Sequence, residues 1–332
     1  MKHLSLKIVW AAMVLTAGIP GWSQTCETRD EIPAQAKTSM DSAAKQAFDQ
    51  AASGDVNGLR ASASPLLQSG FSGVADAITD NKAAFVGAHS ELRTSFLLDT
   101  GATPAQDGQY YCGVFGAGGL GANSAAFNLP GLPVGKYAIV IQDFIGAKGP
   151  YSLTAIFQEL NGWKLAGFYI YPQTAIGHDG IWYLQHARES KAKGQNHLAW
   201  FYYVTSWTLL RPVKFMDSSL LSKITQESSD IQPKDVPGGG NGVDYPANGK
   251  TYKITDISVL PGDKTLDLSI KYSVPSTADF SAVQADARSL ANAYIAQNPE
   301  LKDLFSNVWA HAIDSKGGDV VGLVNLKQGV KP

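Results

Sequence analysis

Histidines are the first residues to test for chemistry. Beyond the N-terminal stretch they are His89, His178, His186, His197 and His311. Imidazole serves metal binding and proton transfer near neutral pH. His186 and Glu189 stand at i, i+3 and share a face if the segment is helical. His197 opens the next predicted helix and could approach them. Two imidazoles and a carboxylate make a zinc-type ligand set. The competing reading is a scatter of surface and interface histidines. For acid–base work the candidates are His89, Asp99 and Asp143, which flank predicted elements. For nucleophilic work there is no Gly-x-Ser-x-Gly elbow, and neither Cys26 nor Cys112 has a catalytic setting. Phe115-Gly116-Ala117-Gly118-Gly119-Leu120-Gly121 lacks the Lys-Ser/Thr of a phosphate loop and reads as an inter-strand loop. These residues name no catalytic group and imply no cofactor.

The N-terminus speaks to compartment. Lys2, His3 and Lys7 form a basic region, Ile8 to Ile19 an apolar one, and Pro20-Gly21 a break. Gly21-Trp22-Ser23 then supplies small residues for signal-peptide cleavage after Ser23, which predicts an exported chain, periplasmic or extracellular. An uncleaved anchor is the alternative. Thr25 argues against lipidation of Cys26. In an oxidising compartment Cys26 and Cys112 either form one bridge or stay free, and spacing leaves both open. No later stretch is apolar enough to span a bilayer. The formal net charge of -2 argues against nucleic-acid partners.

The 332 residues, 44% hydrophobic and 17% charged, suffice for two or three domains. Residues 34–52 carry Met40, Ala44, Ala47, Phe48 and Ala51 at helical spacing. Gly54 ends that helix and Asp55 can cap a second one. A third helix is predicted over residues 74–86. Short β-rich runs follow up to Tyr171, with Asn161-Gly162 marking a tight hairpin. Residues 177–231 are predicted helical, as a hairpin rich in Trp200, Phe201, Tyr202, Tyr203 and Trp207. Residues 232–249, with Pro233, Pro237 and a run of glycines, read as a flexible linker. Residues 250–327 predict a small ββα(α)ββ unit, with Phe280 to Gln297 as an amphipathic helix. The fold class expected is α+β.

Helices first and a curled antiparallel sheet second resemble the nuclear transport factor two-like (cystatin-like) α+β cone. The likeness rests on Gly54-Asp55 and on the closing hairpin, with its strand Trp163-Lys164-Leu165-Ala166-Gly167-Phe168. It covers residues 28–172. The resemblance implies an apolar pocket between helices and sheet, walled here by Phe48, Phe85, Tyr137, Phe157, Trp163 and Phe168. Plain core packing is the rival reading for each ring. The middle hairpin is similar to a single tetratricopeptide-type repeat, and stacking needs several copies.

The leading expectation is a non-catalytic exported module that binds a small apolar ligand or an envelope protein. A hydrolase or isomerase would instead place His89, Asp99 or Asp143 inside a closed pocket. An envelope assembly protein would expose the rings from Trp200 to Trp207.

Overall fold

The computed structural model describes residues 25–327 except 103–106, 114, 117–118, 121–123, 239 and 263, and gives only backbone for 115–116 and 119–120. The expected signal segment, residues 1–23, lies outside the described residues. The fold is α+β.

Helix α1 spans Ala34–Ser53 and buries the expected stripe of Met40, Ala44, Ala47, Phe48 and Ala51. It stops because Gly54 takes the left-handed conformation at φ 74°. The amides of Gly54 and Asp55 then bond back to the Ala51 and Gln50 carbonyls. Asp55 caps α2 (Val56–Ser62) by accepting from the Gly58 amide at 2.9 Å. The third helix differs from expectation. It is split into α3 (Ser72–Asp80) and a single turn, Lys82–Phe85. Asn81 divides them, donating its side-chain amide to the Ala77 carbonyl at 2.8 Å in competition with the helical ladder.

The first unit's strands are β1 (Thr25–Thr28), β2 (His89–Asp99), β3 (Gln109–Cys112), β4 (Ala125–Asn128), β5 (Lys136–Gly146), β6 (Gly149–Glu159) and β7 (Trp163–Pro172). The main sheet has the order β1-β2-β5-β6-β7, antiparallel throughout. Asn161 and Gly162 turn β6 into β7 with φ of 51° and 103°, as a tight turn requires. Side chains alternate along β5. Ala138, Val140 and Phe144 face the helices, while Tyr137, Ile139 and Ile141 face the other way. That second face is covered by a small sheet ordered β8-β4-β3, where β8 is Met216–Ser218. The unit is therefore three layers deep, and its central strands read as nearly unbroken apolar runs. Cys26 on edge strand β1 and Cys112 on β3 form a disulfide across an 86-residue separation, tying one edge of the main sheet to the small sheet.

Three helices follow: α4 (Gly180–Ala192), α5 (Asn196–Leu210) and α6 (Ser219–Ser228). Asp179 caps α4 through the Trp182 amide at 2.8 Å. Gly180 lets α4 and α5 approach closely, since a Cβ there would sit 2.5 Å from Leu210 Cγ. Among the described residues no second helical hairpin stacks on the pair. Tyr183, Phe201 and Leu209 instead enter the core of the last unit.

That unit comprises β9 (Val243–Ala247), β10 (Lys250–Pro261), β11 (Leu266–Ser273), α7 (Phe280–Gln297), β12 (Asn307–Ile313) and β13 (Asp319–Asn325), with a short turn of helix at Leu301–Leu304. The strands lie in chain order. Only β11 and β12 run parallel, joined by the crossover through α7. Strand β9 corrects the expectation of a structureless linker over 232–249. Tyr245 and Ala247 point inward, and Pro246 is tolerated because β9 is an edge strand. Val236 is buried as well, so this segment is clasped between the hairpin and the last unit. Among the described residues no helix is long and apolar enough to cross a membrane.

Candidate functional site

The space between α1 and the main sheet is filled by rings. Phe85 stacks on Phe144 with centroids 5.1 Å apart, Phe48 meets both edge-on, and Phe144 continues to Tyr151 at 5.6 Å. Phe157 and Phe168 belong to the same core. Trp163 sits half-buried at its margin, its indole N–H donating to Ser39 Oγ at 3.0 Å. Tyr137 lies on the opposite face of the sheet and donates its hydroxyl to the Pro133 carbonyl at 3.0 Å. The six residues expected to wall one pocket are thus not gathered around one. Five lie on the helix side and Tyr137 lies behind the sheet.

What remains open is a cleft of about 660 Å³ between α1 and the start of β2. Phe48 and Phe85, two of the expected wall residues, line it together with Leu92 and Ala88. Lys45, Asp49 and His89 stand at its polar rim. Its least expected member is Gln142, only 5% exposed, on the helix-facing phase of β5. The Gln142 amide nitrogen donates to Ser90 Oγ at 3.1 Å, while its Oε1 is buried and meets no partner among the described residues. A buried unpaired acceptor costs about 1–3 kcal/mol. Sequence reasoning overlooked Gln142 inside the run Ala138-Ile139-Val140-Ile141-Gln142. The available signal was a lone amide on a phase otherwise apolar.

The three acid–base candidates lie apart. His89 is exposed at the cleft rim. Asp99, half-buried, accepts from the Gly101 amide at 2.9 Å. Asp143 is clamped by Arg93 and also accepts from Gln173. None stands in an enclosed pocket.

Nor does the expected metal trio come together. His186 stacks on Trp182 at 3.7 Å, with His178 on Trp182 at 3.8 Å, and its Nδ1 lies 3.0 Å from the Trp182 carbonyl. Glu189 is exposed one turn further on. His197 turns toward the last unit, 3.2 Å from Asp235 and 3.4 Å from the Tyr294 hydroxyl, with Glu300 at 3.7 Å from its Nδ1. Among the described residues no group of three or more His, Cys, Asp or Glu side chains is placed to hold a metal ion. Of the hairpin rings, Phe201 and Tyr203 are buried, while Trp200, Tyr202 and Trp207 are half-buried against the cores they border.

No family model, curated protein or solved structure matches this chain. Its function is read from geometry.

Proposed function

We propose that this is an exported, non-catalytic binding protein that holds a small, largely apolar ligand in the cleft between α1 and β2. The observation that carries the proposal is the cleft itself. Its floor of Phe48, Phe85 and Leu92 offers apolar contact, and Gln142 adds a polar residue to its lining. Its volume falls in the range of about 300–1,000 Å³ common for small-molecule sites. Export is supported by the basic-then-apolar N-terminus with its small-residue cleavage pattern and by the Cys26–Cys112 disulfide. The nuclear transport factor two-like reading of residues 28–172 draws support from the Gly54-Asp55 junction and from helices packed on one face of an antiparallel sheet.

Native mass spectrometry of protein purified from an exporting host, set against the same sample denatured, tests this. The expected result is extra mass that is lost on denaturation, together with a chain beginning at Gln24. Leu92→Glu, which places a charge in the cleft without emptying the core, should abolish the extra mass. A bare native mass that stays bare after incubation with lipid extract of the host would overturn the reading.

A further inference from the structure

A second hollow, of about 440 Å³, lies where the small sheet meets the end of α5. It borders Tyr111, Asn128, Trp207, Arg211, Lys214 and Asp217. We propose that it is a second ligand site, one that takes an acidic saccharide.

Arg211 is the centre of the argument. Its guanidinium carbon lies 4.1 Å from the centre of the Trp207 ring, and its Nε donates to the Met216 carbonyl at 3.0 Å. Stacking and that single bond fix the plane of the fork. Arg60, which lies over the Phe71 ring, and Arg288 are exposed, and the remaining arginines besides Arg211 are neutralised. Asp41 clamps Arg29, Asp143 clamps Arg93 and Glu227 clamps Arg188, each through two hydrogen bonds. The hollow beside Arg29 and Arg93 therefore has no guanidinium to offer. Among the described residues no carboxylate bonds Arg211. Burial pushes its guanidinium down from its ordinary value, as a desolvated cation without a bonded counter-ion requires.

Asp217 shares the hollow and offsets part of that charge. Its oxygens are already engaged, Oδ1 by the Ser218 amide at 2.7 Å and Oδ2 by the Ser222 hydroxyl at 2.9 Å. Lys214 is exposed at the rim and restores a net positive balance. The hollow thus seats one carboxylate group. The rest of its lining selects what carries that group. Tyr111 is 56% exposed and presents a flat apolar face, onto which the C–H face of a sugar ring packs. Asn128, exposed on β4, supplies a planar amide for hydroxyls. A ring face, an amide and a cationic fork together match a uronic acid unit.

Tryptophan fluorescence titration and calorimetry of the whole protein with trigalacturonate test this, with maltotriose and sodium phosphate as controls. Saturable binding of trigalacturonate is expected, with maltotriose weaker by about tenfold or more, the loss of one charged hydrogen bond. Arg211→Lys keeps charge but not the fork and should weaken binding by about tenfold. Lys214→Gln and Tyr111→Ala, both at exposed positions, should each weaken it several-fold, and Lys214→Gln should leave the melting temperature unchanged. Absence of trigalacturonate binding at millimolar concentration would overturn the proposal. So would equal affinity for maltotriose, equal occupancy by phosphate alone, or affinity untouched by both Lys214→Gln and Tyr111→Ala.

Discussion

His197 Nε2 on α5 lies 3.2 Å from Asp235 Oδ2, joining the helical hairpin to the segment that precedes β9. Tyr294 on α7 brings its hydroxyl to within 3.4 Å of the same nitrogen, and Glu300 faces the other side of the ring. Tyr245, whose hydroxyl is buried with no partner among the described residues, packs on Tyr294 at 5.4 Å. One clasp thus gathers the hairpin, the preceding segment and the last unit. Burial pushes the Asp235 carboxyl up. The hydrogen bond and charge of His197, with the hydroxyl of Tyr294, outweigh burial and hold the carboxyl below its ordinary value.

A carboxyl with a depressed folded-state value adds stability that is fully present above the unfolded value of about 3.9. That stability is lost as pH falls through the folded value. Asp235→Asn should therefore lower stability at pH 7 by about 1–3 kcal/mol, the range for a hydrogen bond to a charged group. It should also flatten the loss of stability as pH falls below about 4. Thermal melts across that range check both. An acid limb identical to that of the parent protein would mean that Asp235 is not held by the clasp.

The disulfide gives a second expectation. Closing a loop of this length removes entropy from the unfolded chain, and loss of a native bridge typically costs about 2–5 kcal/mol. Cys26→Ser should lower the denaturant midpoint accordingly, and dithiothreitol should do the same to the parent protein but not to the variant. The effect should centre on the first unit, because β1 is held there by four ladder positions and this bridge.

Gly322 on β13 sits under α7. A Cβ there would lie 2.4 Å from the Arg288 amide nitrogen and 2.7 Å from the Ala287 carbonyl carbon, both backbone atoms. Neither can swing aside, so Gly322→Ala must lift the helix from the sheet. Overpacking of this kind costs about 1–3 kcal/mol. Denaturant unfolding of the variant measures it, and Gly317→Ala, in an open turn with positive φ, serves as the contrast for a purely local strain.

Periodicity made some of this fold legible and left other parts hidden. The stripe from Met40 to Ala51 marks the buried face of α1. Phe280 to Gln297 is bounded as expected because Asp279 caps it and Pro299 follows its end. Alternation along β5 says that both faces are covered, but not by what. Whether a cavity survives between α1 and the sheet depends on how Phe48, Phe85, Phe144 and Tyr151 divide one volume, which no spacing records. Strand β1 has four residues and no apolar signal of its own. Strand β9 carries Pro246 among glycines, and only its edge position allows it to pair. His186 and His197 share a hairpin in sequence, yet the helix turn sends His197 to the last unit.

Gln142 carries the last prediction. Its Oε1 is buried and meets no partner among the described residues, a cost of about 1–3 kcal/mol. Gln142→Leu keeps the approximate length of the side chain and removes the polar group. Ser90, half-buried at the cleft, loses one bond but keeps access to water. The variant should be as stable as the parent or more so, by up to about 1–2 kcal/mol. Ligand retained in the cleft should be unaffected, because that oxygen is closed off from solvent. Melting temperature and retained mass in native spectra report the two effects separately. A variant destabilised by more than about 2 kcal/mol would mean that the amide is already satisfied in the folded chain.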